Sequence, residues 1–169
     1  HSDSRRQRQM CIRDRSEAVD GAGSDYKSVF AVILGTGVGA GFSYDKKIIV
    51  GPNKLTGEWG QIPIPGPMDD YEKSVKRHCG RIGAIEVFLS GPGLENYYKF
   101  ISGSKKSSRE IVSLYKENDS FANEVMDIYF ERIARSFSTF VNILDPDIIV
   151  CGGGMSEIDD IYSLSLIHI

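Results

Sequence analysis

The chain has 169 residues and a formal net charge of −3, enough for one domain with a core. Its 41% hydrophobic and 25% charged content is ordinary for a globular protein. The acid excess gives no support for nucleic-acid or polyanion binding, and no apolar run approaches the roughly 20 residues that span a bilayer. Three scattered cysteines, Cys11, Cys79 and Cys151, fit a reduced, cytoplasmic protein rather than a disulfide scaffold.

The first segment, HSDSRRQRQMCIRDR, holds Arg5, Arg6, Arg8, Arg13 and Arg15, and the next arginine is Arg77. A basic arm, a targeting peptide and a disordered tail are all readings of such a stretch. The better one pairs MCIRDR with the closing LSLIHI as translated sequencing-adapter sequence. The expected organisation is therefore a disordered artefact at 1–15, a partial domain at 16–162 and a second artefact at 163–169.

Residues 29–34, VFAVIL, form a continuous apolar run that reads as a buried strand. ILGTGVGAGF follows, with four glycines at alternate positions. It is either a hairpin turn that needs positive φ or a phosphate cradle of bare backbone N–H groups. It matches neither the dinucleotide nor the Walker fingerprint, so both readings stay open on this segment alone. Strands are expected at 39–44 and 47–50 around the polar DKK turn. Residues 51–67 read as an ordered Gly/Pro loop and the charged stretch through 76 as flexible.

A helix is expected at 83–90, broken by SGPG, and another at 94–101. Ser107 or Ser108 caps a short helix through Tyr115. The longest periodic segment is 121–144, whose Phe121, Val125, Ile128, Tyr129, Ile133, Phe137, Phe140, Val141 and Leu144 fall on one core-facing stripe. Pro146 ends it. DIIVCGGGMSE then gives a buried strand, three glycines and a capped helix start at Ser156. These glycines are either a tight turn or a surface for a flat or anionic ligand at a helix N-terminus.

Taken together and in order, LGTGVGAG, GEWGQ, HCGRIGAIE and LDPDIIVCGGG resemble the motifs of the ROK family of sugar kinases (repressors, open reading frames, kinases) over nearly all of 16–162. The resemblance implies an α/β fold of the actin-like ATPase (ribonuclease H-like) class, mostly the C-terminal domain of a two-domain sugar kinase. It implies ATP-dependent phosphorylation of a hexose hydroxyl, with ATP and Mg²⁺ as cofactors. GEWG and FLSGPGL look closest to fructokinase-like members. An N-acetylglucosamine or glucose kinase and a sugar-sensing transcriptional repressor of the same family are the alternatives. A hexose is the implied partner, with no nucleic acid and no membrane, and a homodimer is the assembly allowed for the whole protein.

By the same resemblance, Gly35, Thr36 and Gly37 meet the ATP phosphates, and Gly152, Gly153 and Gly154 lie against its adenosine. Glu58, Gln61 and Glu86 meet the sugar. A carboxylate suits a polyol because it only accepts hydrogen bonds and takes several O–H donors. The family's zinc site is expected to be lost. Only Cys79 falls on a ligand position, Arg77 and Ala84 replace two cysteines, Gln61 replaces the histidine, and one thiol cannot hold zinc. The catalytic aspartate and the first phosphate loop are expected upstream of residue 16, and neither Asp14 nor Asp20 takes their place. The chain by itself is therefore expected to be inactive.

Overall fold

The apolar run at 29–34 becomes β1 (Ser28–Leu34) in the computed structural model, which describes residues 23–77 and 79–164. Phe30, Val32 and Leu34 are buried in the main core, while Val29 and Ala31 pack with Ile148 and Val150 in a second cluster. A strand covered on both faces explains an unbroken apolar run. β2 (Val38–Tyr44) returns antiparallel, pairing Leu34 with Val38 and Ser28 with Tyr44. β3 (Lys47–Ile48) is a two-residue edge, shorter than the strand expected at 47–50. In the turn before it, Asp45 and Lys46 both take positive φ, 47° and 60°, a backbone twist that matches a hairpin.

The first helix, α1 (Asp70–Ser74), lies where a flexible charged stretch was expected. Asp69 and Glu72 close a capping box, and Glu72 is fully buried against Arg132. The helix expected at 83–90 shrinks to the single turn α2 (Glu86–Leu89). Gly83 has φ of +70°, and its carbonyl accepts from Ile64 N–H at 2.7 Å, so the backbone there is committed to a bridge. α3 (Gly91–Ser102) starts earlier than 94, because Ser90 caps it through Gly93 N–H and Pro92 fits its first turn. α4 (Ser108–Lys116) is capped by Ser107 with Glu110.

α5 (Ser120–Leu144) is capped by Asp119 and ends on Asp145 in the left-handed region, one residue before Pro146. Its buried stripe includes Val125, Tyr129, Ile133 and Phe137, whereas Phe121, in the first turn, is 46% exposed. β4 (Ile148–Gly152) follows and pairs parallel with β1, giving the sheet order β3-β2-β1-β4. β1 and β4 therefore lie in one mixed sheet. Ser156 does not cap a helix. It lies inside a 3-10 turn, Gly154–Glu157, and its hydroxyl donates back to the Gly153 carbonyl. The last helix is α6 (Asp160–Leu164). Among the described residues no helix is long and apolar enough to cross a membrane. The expectations for residues 1–15 and for the end of the chain beyond 164, together with Asp14, Asp20 and His78, lie outside the described residues.

One side chain fixes the register of the parallel pair. Asp147 Oδ2 accepts from Ser28 N–H at 2.7 Å, Ser28 Oγ at 3.0 Å and Lys27 N–H at 3.1 Å. Asp147 N–H donates to the Ser28 carbonyl at 3.0 Å. β4 thus starts level with β1, so Ile33 pairs with Gly152 and the two glycine loops leave the sheet side by side. The Ser28 backbone N–H, then its hydroxyl, hold the Asp147 carboxyl below its ordinary value of 3.8. A depressed pKa means that the stabilisation is complete above that ordinary value and is lost as pH falls through the lower, folded one. Asp147→Asn should therefore be less stable than the native chain near neutrality, and the gap should narrow as urea melts are taken down below pH 3.8. A gap independent of pH would exclude this role.

Candidate functional site

The two glycine loops meet at the carboxyl ends of β1 and β4, where ligands commonly bind in open α/β sheets. Gly35 is tied on both sides. Its N–H donates to the Gly37 carbonyl at 3.0 Å, and its carbonyl accepts from Gly91 N–H at 2.8 Å. That use of Gly35 leaves the N–H groups of Thr36 and Gly37 without a protein partner among the described residues. Two consecutive unpaired N–H groups and a hydroxyl are donors of the kind that suit an anion. Gly153, at φ +91°, packs against β1 so closely that a Cβ there would stand 2.4 Å from the Leu34 carbonyl oxygen, whereas one at Gly154 would meet open space. SGPG, read only as a helix breaker, brings the start of α3 against this loop through Gly91.

The GEWG turn is pressed onto β2. A Cβ at Gly57, whose φ is +93°, would lie 1.8 Å from the Ala40 carbonyl oxygen, and one at Gly60 would lie 2.6 Å from that of Val38. Ala40 N–H donates to the Gly57 carbonyl at 2.9 Å. Trp59, 3% exposed, anchors the turn below by packing on Phe30, Phe137 and Phe140. Glu58 precedes the 3-10 turn Trp59–Gln61 and Gln61 ends it, and Gln61 Nε2 donates to Glu58 Oε2 at 3.3 Å.

Glu86 arrives from the other side at the start of α2. Arg77 Nε donates to Glu86 Oε1 at 3.2 Å, and the Arg77 NH1 group donates to Gln61 Oε1. Glu58, Gln61 and Glu86 are thus gathered into one connected cluster through Arg77. Glu86 Oε2 lies 3.2 Å from where a Cβ of Gly37 would be, so this cluster touches the glycine loop. The sequence treated Arg77 only as the replacement of a lost ligand. Its partners are 16 and 9 residues away, at no helical or strand period, and Lys73, Lys76 and Arg81 close by in the sequence leave nothing that singles it out.

Cys79 is exposed and is not in a disulfide. The Arg81 backbone N–H, assisted by Arg77, holds its thiol below the ordinary value. Burial pushes the Cys151 thiol up to about 11, so Cys151 packs as an inert apolar side chain. Among the described residues no group of three or more His, Cys, Asp or Glu side chains gathers to hold a metal ion.

The sequence model of the ROK family matches residues 12–167, and the chain belongs to that family. It is 36% identical over 151 residues to an N-acetyl-D-glucosamine kinase of Vibrio atlanticus, a match covering 87% of this chain and 50% of that one. It is 35% identical over 156 residues to an N-acetylgalactosamine kinase of Shewanella sp. strain ANA-3, covering 88% and 49%. The fold is similar to that of the ROK hexokinase from Thermus thermophilus, with a TM-score of 0.78 at 20% identity over 92% of this chain and 50% of that one. The chain spans about half the length of the curated relatives it matches.

The close approach of GEWG to β2 is testable. Gly57→Ala adds an unfavourable φ to a collision with backbone, so it should cost more than about 3 kcal/mol in urea unfolding. Gly103→Ala carries similar strain at φ +72° but meets nothing within 4 Å, and should cost about 1 kcal/mol. Equal losses in the two variants would show that the turn is not held by that contact.

Proposed function

We propose that this chain, as a member of the ROK family, supplies the sugar- and nucleotide-recognising half of an ATP-dependent sugar kinase whose acceptor is an N-acetylated hexosamine. The observation behind this reading is the approach of Glu86 to the end of the glycine loop, where Val38 N–H donates to its Oε2 at 3.5 Å and a Cβ at Gly37 would stand 3.2 Å from the same oxygen. It sets a hydrogen-bond acceptor for a sugar hydroxyl directly beside the loop suited to phosphate. Phosphoryl transfer depends on such alignment more than on covalent chemistry by the protein.

Each assigned residue has a physical task. Glu58 keeps one oxygen for sugar hydroxyls, since Gln61 engages the other, and Glu86, whose Oε1 accepts from Arg77 and whose Oε2 accepts from Val38 N–H at 3.5 Å, has lone pairs left on both oxygens for a further O–H donor. Gln61 adds an amide to the same wall. The unpaired N–H groups of Thr36 and Gly37, with the Thr36 hydroxyl, fit phosphate oxygens, and the open space at Gly154 fits the nucleoside. ATP, when bound, supplies the phosphoryl group. Mg²⁺ would come with ATP, held mainly by the phosphates and by water. Recognition and alignment are the tasks assigned to the residues named here.

The two curated relatives named above act on N-acetylated hexosamines, which favours that class over the fructose suggested by GEWG and FLSGPGL. Their being kinases also favours an enzyme over a sugar-sensing regulator. A cytoplasmic setting fits both the ATP requirement and the thiols at Cys79 and Cys151.

Trp59 is the single tryptophan and adjoins Glu58, so its fluorescence reports on the site. N-acetylglucosamine or N-acetylgalactosamine should give a saturable change, and fructose a weaker one. Glu58→Ala should weaken sugar binding by about 10- to 100-fold, the usual cost of losing a hydrogen bond to a charged group. Gly154→Val should weaken binding of a non-hydrolysable ATP analogue and leave the sugar curve in place. No response to any hexose, or native affinity in Glu58→Ala, would remove the assignment.

A further inference from the structure

Arg77 joins the two halves of the sugar cluster, and nothing in phosphoryl transfer itself calls for it. Its backbone is held by a tight loop: Arg77 N–H donates to the Arg81 carbonyl at 2.8 Å, and Gly80 N–H donates to the Arg77 carbonyl at 2.8 Å. Gly83 N–H reaches back to Val75, and an antiparallel bridge pairs Lys76 with Ile82. From this fixed base the guanidinium reaches Gln61 Oε1 on one side and Glu86 Oε1 on the other, through both Nε and NH2, each at 3.2 Å. Its side chain is 17% exposed and that of Glu86 27%, so the pair is shielded enough for geometry to count. A planar fork with several fixed donors can set the orientation of two acceptors at once, and an ammonium cannot.

We propose that Arg77 is the positioning residue of the sugar site. It pins Oε1 of Glu86 while Val38 N–H, at 3.5 Å, takes Oε2 beside Gly37, and by donating to the Gln61 side-chain oxygen it turns that amide's NH2 toward Glu58. The strength with which the site grips its sugar is then set through Glu86 and Gln61, without Arg77 itself having to touch the ligand. This inference rests on the sugar-site reading above.

The test is a double-mutant cycle on the full chain, read by Trp59 fluorescence with N-acetylglucosamine and accompanied by thermal melts. Arg77→Ala should weaken binding about tenfold, and Arg77→Lys should recover only part of that loss. Glu86→Gln should weaken binding on its own, and adding Arg77→Ala to it should cost clearly less than the tenfold it costs alone, because part of its effect runs through Glu86 and only the part through Gln61 remains. Native binding by Arg77→Ala, or full additivity with Glu86→Gln, overturns the positioning role and leaves the sugar site standing. Native binding by Glu86→Gln overturns the sugar-site reading and the inference with it, as does a native chain that binds no hexosamine. If Arg77→Ala melts below the assay temperature, Arg77→Lys decides. Weaker binding at an unchanged melting temperature supports the role, and native binding overturns it.

Discussion

The site depends on the contact between the turn at 57–60 and the backbone of β2. The carbonyl oxygens of Ala40 and Val38 occupy the space that side chains at 57 and 60 would need, so glycine at both positions is what lets the turn sit down. Gly57 also needs its positive φ, which costs a glycine little and any other residue more. The same strand begins at the loop holding Gly37. Seating the turn on β2 therefore sets Glu58 and Gln61 at a fixed distance from that loop, through rigid backbone rather than through flexible side chains. Trp59 secures the turn from beneath, where its ring meets Phe30 and Phe140 of the core at centroid distances of 6.1 and 5.3 Å.

Glu86 and Arg77 are held by a second, independent anchor. Arg132 in α5 is 1% exposed, with Nε 2.8 Å from Glu72 Oε1 and NH2 3.1 Å from Asp69 Oδ2. Its guanidinium lies 4.2 Å from the ring centre of Tyr97 and 5.1 Å from that of Phe88. A buried pair of this kind repays its desolvation only when its hydrogen bonds and packing are well satisfied, and the aromatic faces contribute to that. The result fastens α1 to the long helix. Because α1 runs into the loop carrying Arg77, and that loop runs into α2, the position of Glu86 is inherited from α5. The cluster is thus assembled from one segment seated on the sheet and another seated on the helical layer.

Most of the scaffold was legible in the sequence, for local reasons. VFAVIL read as a buried strand because apolar continuity needs no knowledge of partners, and α5 was readable from its period. DIIVC is a strand as expected but only half-buried along its length, because β4 lies at the edge of the sheet with β1 its one strand neighbour among the described residues. What failed was non-local. Residues 69–74 looked like a solvated charged stretch because Glu72 gains its reason for burial from Arg132, 60 residues later. The helix expected from 83 lost its first turn to pairing with 62–64. At the site, Glu58, Gln61 and Glu86 could be singled out from motif similarity, and the structure brings them together. Arg77, which connects them, carried no pattern because its partners come from two different segments.

The division between side chains and backbone at the site has an electrostatic reason. Acidic side chains suit an uncharged polyol, but an uncompensated carboxylate beside Gly37 would oppose any phosphate bound there. Two like unit charges 4 Å apart repel by about 4 kcal/mol in an effective dielectric of about 20, enough to undo several neutral hydrogen bonds from backbone N–H groups. Arg77 offsets Glu86 at 3.2 Å, and the Arg81 NH1 group adds a second guanidinium by donating to the Gln61 carbonyl at 3.1 Å. With two acids and two arginines the cluster is close to neutral. Under the proposed function the anion would then be left to uncharged backbone donors at 36 and 37, whose attraction is short-ranged and directional. A lysine or arginine placed in the loop itself would grip phosphate more strongly but would also draw Glu86 away from a sugar. Neutralising the carboxylate from behind would keep the proposed acceptor and anion sites adjacent without setting one against the other.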